Sequence, residues 1–505
     1  MNVNKLPNES ALTLSNQTLA QVPSFVDTPN YDRSAVEAGI VHIGVGGFHR
    51  AHQAVYCNEL LKLANNNQWG ICGIGLFEAN RHLSQVLNQQ DGLYTLLVRH
   101  PDGKVEHQII GSLVEFILAP GNKQQAIDKL AAAQTKIISL TITEGGYNVN
   151  PADGTFNFEN PDVQHDLAHP ADPVTAFGYL AAGLKRRRDN NLPGVTILSC
   201  DNVQHNGDVA KKMLLSFIQK LDAELAQWVT EHVTFPNSMV DRITPQTTGE
   251  DIQYVEQLGV ADEWPITCEP FMQWVIEDKF AQGRPNWDLV GAQFVDNVSP
   301  YEKMKLRLLN AGHSVLGILG ALEGFATIND CVADATFSQF LLAYLDKEAT
   351  ATLEPVPGID LTEYKKTVLA RFANPNIQDS VGRICSESSA KIPKFILEAA
   401  VENSQNKQNV TLAALVIAAW CYTCDKQVDK LGNKINIQDE MTAQLTLAAR
   451  GTNADVLSFL KLTSVFGDIV KNDHFVNAYI QAVHDVYTAK ASVKALMQNQ
   501  LNHME

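Results

Sequence analysis

Positive charge is scarce in this sequence. Its 39 Lys and Arg are outnumbered by 56 Asp and Glu, a formal net charge of −17 over 505 residues. That balance disfavours a broad surface for DNA, RNA or anionic lipid, and leaves room only for a local cationic site. Cysteine is sparse too. The eight cysteines, at positions 57, 72, 200, 268, 331, 385, 421 and 424, lie mostly in apolar runs. Buried free thiols in a reducing cytoplasm show this pattern, and a disulfide framework does not. Long hydrophobic runs are missing. The most apolar stretches, around 412–420 and 315–322, are too short for a bilayer and read as buried helices. No basic segment followed by an apolar run lies between Met1 and Pro23, so no secretory signal is expected. Repeats, low-complexity tracts and exposed heptads are also lacking, and a monomer is expected.

What is present is ordinary globular material: 45% hydrophobic and 19% charged residues, enough for two large domains at this length. Ile40–Val45, Trp69–Leu76, Lys136–Thr143 and Gly194–Cys200 read as strands. Arg50–Asn65, Asn122–Ala133 and Ala176–Arg188 have helical periodicity. The alternation predicts βαβ units and a doubly wound parallel sheet. After about Pro300 the character changes. Met304–Leu322, Ala335–Asp346, Leu361–Phe372, Lys394–Glu402, Thr411–Cys424 and Val476–Met497 all read as helices. The expected fold class is therefore α/β, a Rossmann-like domain over 1–295 followed by a mostly helical domain over 296–505.

Three sets of residues could carry chemistry. The first is Gly44-Val45-Gly46-Gly47-Phe48, directly after a strand and opening a helix. Glycines there let backbone N–H groups approach a pyrophosphate. His49 stands where the third glycine of G-x-G-x-x-G is usual, so a tight turn without a ligand fits as well. In an open parallel sheet, ligands bind beyond the carboxyl ends of the strands. Those ends carry Glu78, then Thr143 and Glu144, then Asp201 and Asn202. Glu78 is placed to accept from an adenosine ribose, which favours NAD over NADP; a solvated surface glutamate is the plain alternative.

The second set is Lys305, Asn310 and His313. At about 100° per residue, Asn310 lies about 140° and His313 about 80° around the helix from Lys305, so all three can border one cleft. A lysine against an apolar wall loses hydration when charged and becomes a candidate general base near neutral pH. A surface lysine with a buried Asn and His is equally compatible with the spacing. The third set is Asp241-Arg242 and the Arg383…Lys391 segment, charged groups amid apolar and small residues. They suit a polyhydroxylated or anionic small molecule, or plain ion pairs. Cys421-x-x-Cys424 has no partner pair and His49-x-x-His52 no evident third ligand, so no metal is expected.

Read together, Gly44–Gln53, Thr141–Tyr147, Ser199–Asn202, Met239–Pro245, Cys268–Phe271 and the Lys305…Asn310…His313 helix resemble the polyol-specific long-chain dehydrogenases, a family that includes mannitol 2-dehydrogenases and hexuronate reductases. The resemblance runs from about residue 38 to beyond 480. It implies a metal-independent NAD(P) enzyme, with cofactor contacts from Gly44, Val45, Gly46, Gly47, Phe48, Glu78, Thr143 and Glu144 and an active site between the domains. It implies Lys305 as the acid/base, Asn202 and Asn310 as hydrogen-bond donors to the substrate C2 oxygen, and His313 as an orienting residue. Asp241, Arg383 and Lys391 would contact the distal hydroxyls, and Glu302 would relay protons. Gly46-Gly47-Phe48 and the Arg383–Lys391 segment look more like the mannitol enzymes. The expected reaction is thus interconversion of D-mannitol and D-fructose in the cytoplasm, with D-fructuronate reduction as the second reading. A nucleotide-binding protein without turnover is the reading from another class. Asn80 stands where similar mannitol enzymes have aspartate, which leaves NADP beside NAD.

Overall fold

The computed structural model describes residues 11–150, 153–488 and 492–503. The chain divides into two compact units, Met1–Val298 and Ser299–Glu505.

The first unit is built on five parallel strands: β1 (Ile40–Ile43), β2 (Ile71–Gly75), β3 (Leu113–Leu118), β4 (Ile137–Leu140) and β5 (Thr196–Ser199), in spatial order β3-β2-β1-β4-β5. Chain order reverses beside β1, so the β1 and β4 ends form the switch point where such sheets bind ligands. Side chains alternate across the sheet and both faces are covered, which is why the strands read as unbroken apolar runs. Val41, Ile43, Ile138 and Ile197 pack against the helices Lys123–Ala131, Ala176–Asp189 and Asn206–Leu221. Ile40, Ile71, Ile137 and Leu198 face Ala54, Cys57, Trp274 and Trp287.

The helix expected over 50–65 is interrupted. Helix α1 covers Gly47–Ala51 and α2 covers Gln53–Leu61, with His52 (φ −125°, ψ −90°) between them. The cause is side-chain capture of helical carbonyls. Tyr94 Oη donates to Arg50 O and Arg242 Nη1 to Ala51 O, both at 2.6 Å. Strand β3 and the side sheets (Tyr94–Arg99, Val105–Ile110, Ile266–Cys268; and β6, Ser238–Asp241, with β7, Gln273–Glu277, and β8, Gln293–Val295) escaped the sequence reading. Short apolar runs such as these do not separate strand from buried helix by periodicity.

The second unit is helical, but three stretches read as plain α-helix contain π turns, at Leu306–Asn310, Leu345–Ala349 and Pro393–Leu397. The first packs against the other two. The span expected as one helix over 476–497 is two, Asp473–Thr488 and Val493–Asn502. Thr411–Lys426, nearly all buried, packs on Asp473–Thr488 and is the centre of this unit. Among the described residues no helix is long and apolar enough to cross a membrane.

Candidate functional site

In the first unit the β1 strand runs into Gly44, at φ +95°. A Cβ there would lie 2.1 Å from Thr141 O, just past β4, so only glycine fits. Gly46 is extended and caps α1. A Cβ on Gly46 would meet only Gly44 O, at 3.8 Å, so that side of the loop faces open space. This is a cradle whose backbone a phosphate can approach, and it fits a dinucleotide. Val45 is buried beneath it, and Phe48 stacks on His52 with centroids 4.9 Å apart.

His49, at the position where the family fingerprint has its third glycine, turns inward. It stacks on His42 with centroids 3.5 Å apart. His42 Nδ1 is 2.8 Å from Ser139 Oγ and Nε2 is 2.8 Å from Thr141 Oγ1, while Thr141 Oγ1 donates to Gly44 O at 2.6 Å. Burial pulls the pKa of His42 down to about 3 and that of His49 well below the ordinary value, so both rings are neutral. His52 Nε2 meets Gln273 O at 2.9 Å, away from His49. Among the described residues no three His, Cys, Asp or Glu side chains converge as a metal site. Cys421 and Cys424 are buried free thiols whose pKa values burial raises.

At the β2 end Glu78 is exposed and paired with Arg81, whose Nε donates to Oε1 at 2.7 Å. Asn80 Oδ1 accepts from Phe77 N and so shapes that turn. Thr143 (φ +60°) and Glu144 open a short helix at the β4 end. Asp201, past β5, ties the two loops together. It accepts from Ile142 N at 3.1 Å, Thr143 N at 2.8 Å and Tyr147 Oη at 2.7 Å. Burial raises its pKa to about 6 against those three donors. Asn202 beside it is exposed. Asp241 ends β6 and is buried, and Arg242 donates Nε to Glu269 O at 3.0 Å.

In the second unit the helix Ser299–Lys305 delivers Glu302 and Lys305, the π turn delivers Asn310, and the helix Ala311–Glu323 delivers His313. Glu302, Lys305 and Asn310 are all buried, at 7%, 7% and 9% exposure, so the lysine is not the plain surface residue that spacing allowed. The 140° separation computed for an α-helix does not apply. A π turn bonds i to i+5 and takes up an extra residue, which brings Lys305 and Asn310 nearer to one face. Arg307, inside the turn, donates Nη1 to Thr352 O at 2.9 Å and to Glu402 Oε2 at 2.8 Å.

His313 stacks on Phe372, centroids 4.1 Å apart. Its Nε2 lies 3.8 Å from Asp379 Oδ2. Arg383 is bound to the same carboxylate, and Lys391 Nζ donates to Ile384 O at 3.2 Å. Asp379 was not among the sequence candidates, although its place four residues before Arg383 is the ordinary spacing of a helical ion pair. A separate groove of about 1120 Å³, lined by Arg307, Glu398, Glu402 and His474 among others, holds none of the motif residues except as neighbours in sequence.

Both units resemble known proteins. Residues 38–289 fit the family described as "Mannitol dehydrogenase Rossmann domain" and residues 297–487 the "Mannitol dehydrogenase C-terminal domain". The chain is 42% identical over 487 residues to a mannitol 2-dehydrogenase of Aspergillus fumigatus, covering 94% of this chain and 97% of the relative. A mannitol 2-dehydrogenase of Pyricularia oryzae is 40% identical over 490 residues, 96% of this chain and 97% of that one. Among solved structures, the Pseudomonas fluorescens mannitol 2-dehydrogenase in ternary complex with NAD and D-mannitol aligns with a TM-score of 0.89 at 40% identity, over 97% of this chain and 100% of that one. A substrate-free D-sorbitol dehydrogenase aligns with a TM-score of 0.87 at 35% identity, over 96% and 100%.

Proposed function

Because this chain belongs to the mannitol dehydrogenase family, we propose that it interconverts D-mannitol and D-fructose, using NAD in the first unit and Lys305 as the acid/base. The observation that carries the reading is the Lys305–Asn310 turn. It buries an amine and an amide one π turn apart on a helix pinned from behind by Arg307.

Bound NAD supplies the hydride acceptor for the polyol C2–H. Lys305 in its base form takes the C2 hydroxyl proton while the C2 hydrogen leaves as hydride, so the carbinol becomes a ketone. In the reverse direction the protonated amine returns that proton to the carbonyl oxygen. Asn202 and Asn310 are assigned the hydrogen bonds to that oxygen, which carries the developing negative charge in both directions. Their amide donors are neutral, so they stabilise the oxyanion without competing for the proton. Glu302, buried one helical turn before Lys305, is assigned the transfer of that proton towards water. His313 orients the substrate, and Asp241, Arg383 and Lys391 read its remaining hydroxyls. On the cofactor side, Gly44–Phe48 cradle the pyrophosphate, Glu78 accepts from the adenosine ribose, and Thr143 and Glu144 line the β4 end. The eight unpaired cysteines suit a reducing cytoplasm.

The test is NADH oxidation by the purified protein with D-fructose and D-fructuronate offered separately. Faster turnover of fructose supports the reading. A clear preference for fructuronate replaces it with uronate reduction, and activity on neither overturns both.

A further inference from the structure

Two of the side chains assigned to substrate meet at one carboxylate. Asp379 is buried, 6% exposed at its side chain. Arg383 approaches it with the fork of its guanidinium, Nε donating to Oδ1 at 2.8 Å and Nη2 to Oδ2 at 2.5 Å. His313 Nε2 lies 3.8 Å from that same Oδ2. On its other side the imidazole is held by the Phe372 ring. Arg383 itself is about half exposed, at 48%, and an arginine so placed has many rotamers unless something fixes it. A bidentate carboxylate does so, with specific geometry as well as energy.

Backbone hydrogen bonds also brace this segment. Ile328 N donates to Asp379 O and Val381 N to Ala326 O, both at 2.9 Å, and Thr327 bridges to Ser380. The Ser380 hydroxyl caps the helix Val381–Cys385 by accepting from Arg383 N. The carboxylate grips Arg383 with two hydrogen bonds and lies at ion-pair rather than hydrogen-bond distance from His313 Nε2.

We propose that Asp379 is a positioning residue for polyol recognition: it holds His313 and Arg383 as one unit, so that the orienting imidazole and the distal guanidinium are set in fixed register. The inference rests on the substrate roles given above to His313 and Arg383. If the two are one unit, the protein reads hydroxyls at a fixed spacing along the polyol, and loss of the carboxylate lets the guanidinium wander while the lysine chemistry persists.

The test is a mutant cycle on D-mannitol oxidation with D379N, D379E, R383A, H313A and the double variant D379N/R383A. D379N is expected to raise KM by about tenfold, the worth of a charge-assisted hydrogen bond, with a smaller loss in kcat. D379E, which keeps the charge, is expected to recover part of that loss. The double variant is expected to be little worse than R383A alone, because Asp379 acts partly through Arg383. Impaired R383A and H313A beside a silent D379N, or losses that simply multiply, would overturn the inference and leave the substrate roles standing. D379E no better than D379N would also overturn it, since a purely structural Asp gains nothing from a longer acid. Silent R383A and H313A would remove the substrate roles, and this inference with them.

Discussion

His42 Nε2 lies 2.8 Å from Thr141 Oγ1, and the single hydrogen of that hydroxyl is committed to Gly44 O. His42 Nδ1 lies 2.8 Å from Ser139 Oγ, which donates to Gln53 Oε1 at 2.9 Å. A chain of four side chains ends on the carbonyl of the first loop glycine.

Replacing His42 by Leu removes the ring between Ser139 and Thr141 and costs each of those hydroxyls a partner. NADH affinity is expected to fall by about tenfold, read by fluorescence titration, with kcat at saturating cofactor falling less. Equal affinity in H42L would detach this chain from the loop.

Gly44→Ala is expected to be worse. The residue would need φ near +95° and would place its Cβ 2.1 Å from Thr141 O. The loop must move, so cofactor binding should be lost rather than weakened, together with a few kcal/mol of stability. A thermal melt with and without NADH checks both; a wild-type shift on adding NADH would contradict the assignment of this loop.

Glu78 and Arg81 form an exposed pair at the β2 end. Removing the carboxylate in E78A leaves Arg81 facing the place assigned to the ribose, where a 2′-phosphate would be welcome. The ratio of kcat/KM for NADPH to that for NADH is expected to rise by about tenfold or more. An unchanged ratio would place the ribose elsewhere.

Glu348 offers a pH-dependent check on the second unit. Its buried carboxyl accepts from Asn409 Nδ2 and from the N–H groups of Leu412 and Ala413, at 2.9, 2.8 and 2.9 Å. Burial outweighs those donors and raises its pKa from 4.5 to about 8. A folded pKa above the unfolded one means the folded state holds the proton more tightly. The stability it contributes is full below about pH 4.5 and is lost as pH rises through about 8. The urea midpoint of the wild type should fall relative to that of E348Q between pH 6 and pH 9. Parallel curves would contradict this.

Much of the local structure around the candidate site was legible in the sequence because such residues come with spacing. Gly44–Phe48 needs small residues between a strand and a helix, and Lys305, Asn310 and His313 lie on one continuous helical stretch. The π turn was not legible, since its residues, Leu306-Arg-Leu-Leu-Asn310, have ordinary helical propensity. Its geometry coincides with packing against two other π turns and anchoring of Arg307 to Thr352 and Glu402. The break at His52 was hidden for the same reason, because Tyr94 and Arg242 reach it from far along the chain. Asp379 was missed because a buried carboxylate reads as an exposed one until its partners are placed.

Proton transfer by Lys305 is read most plainly in Lys305→Ala. Mannitol-dependent NADH formation is expected to fall by roughly 10²–10⁴-fold while the affinity for NADH, titrated on the same preparation, stays within about twofold of wild type. Turnover at the wild-type rate in K305A, with NADH still bound, would contradict it.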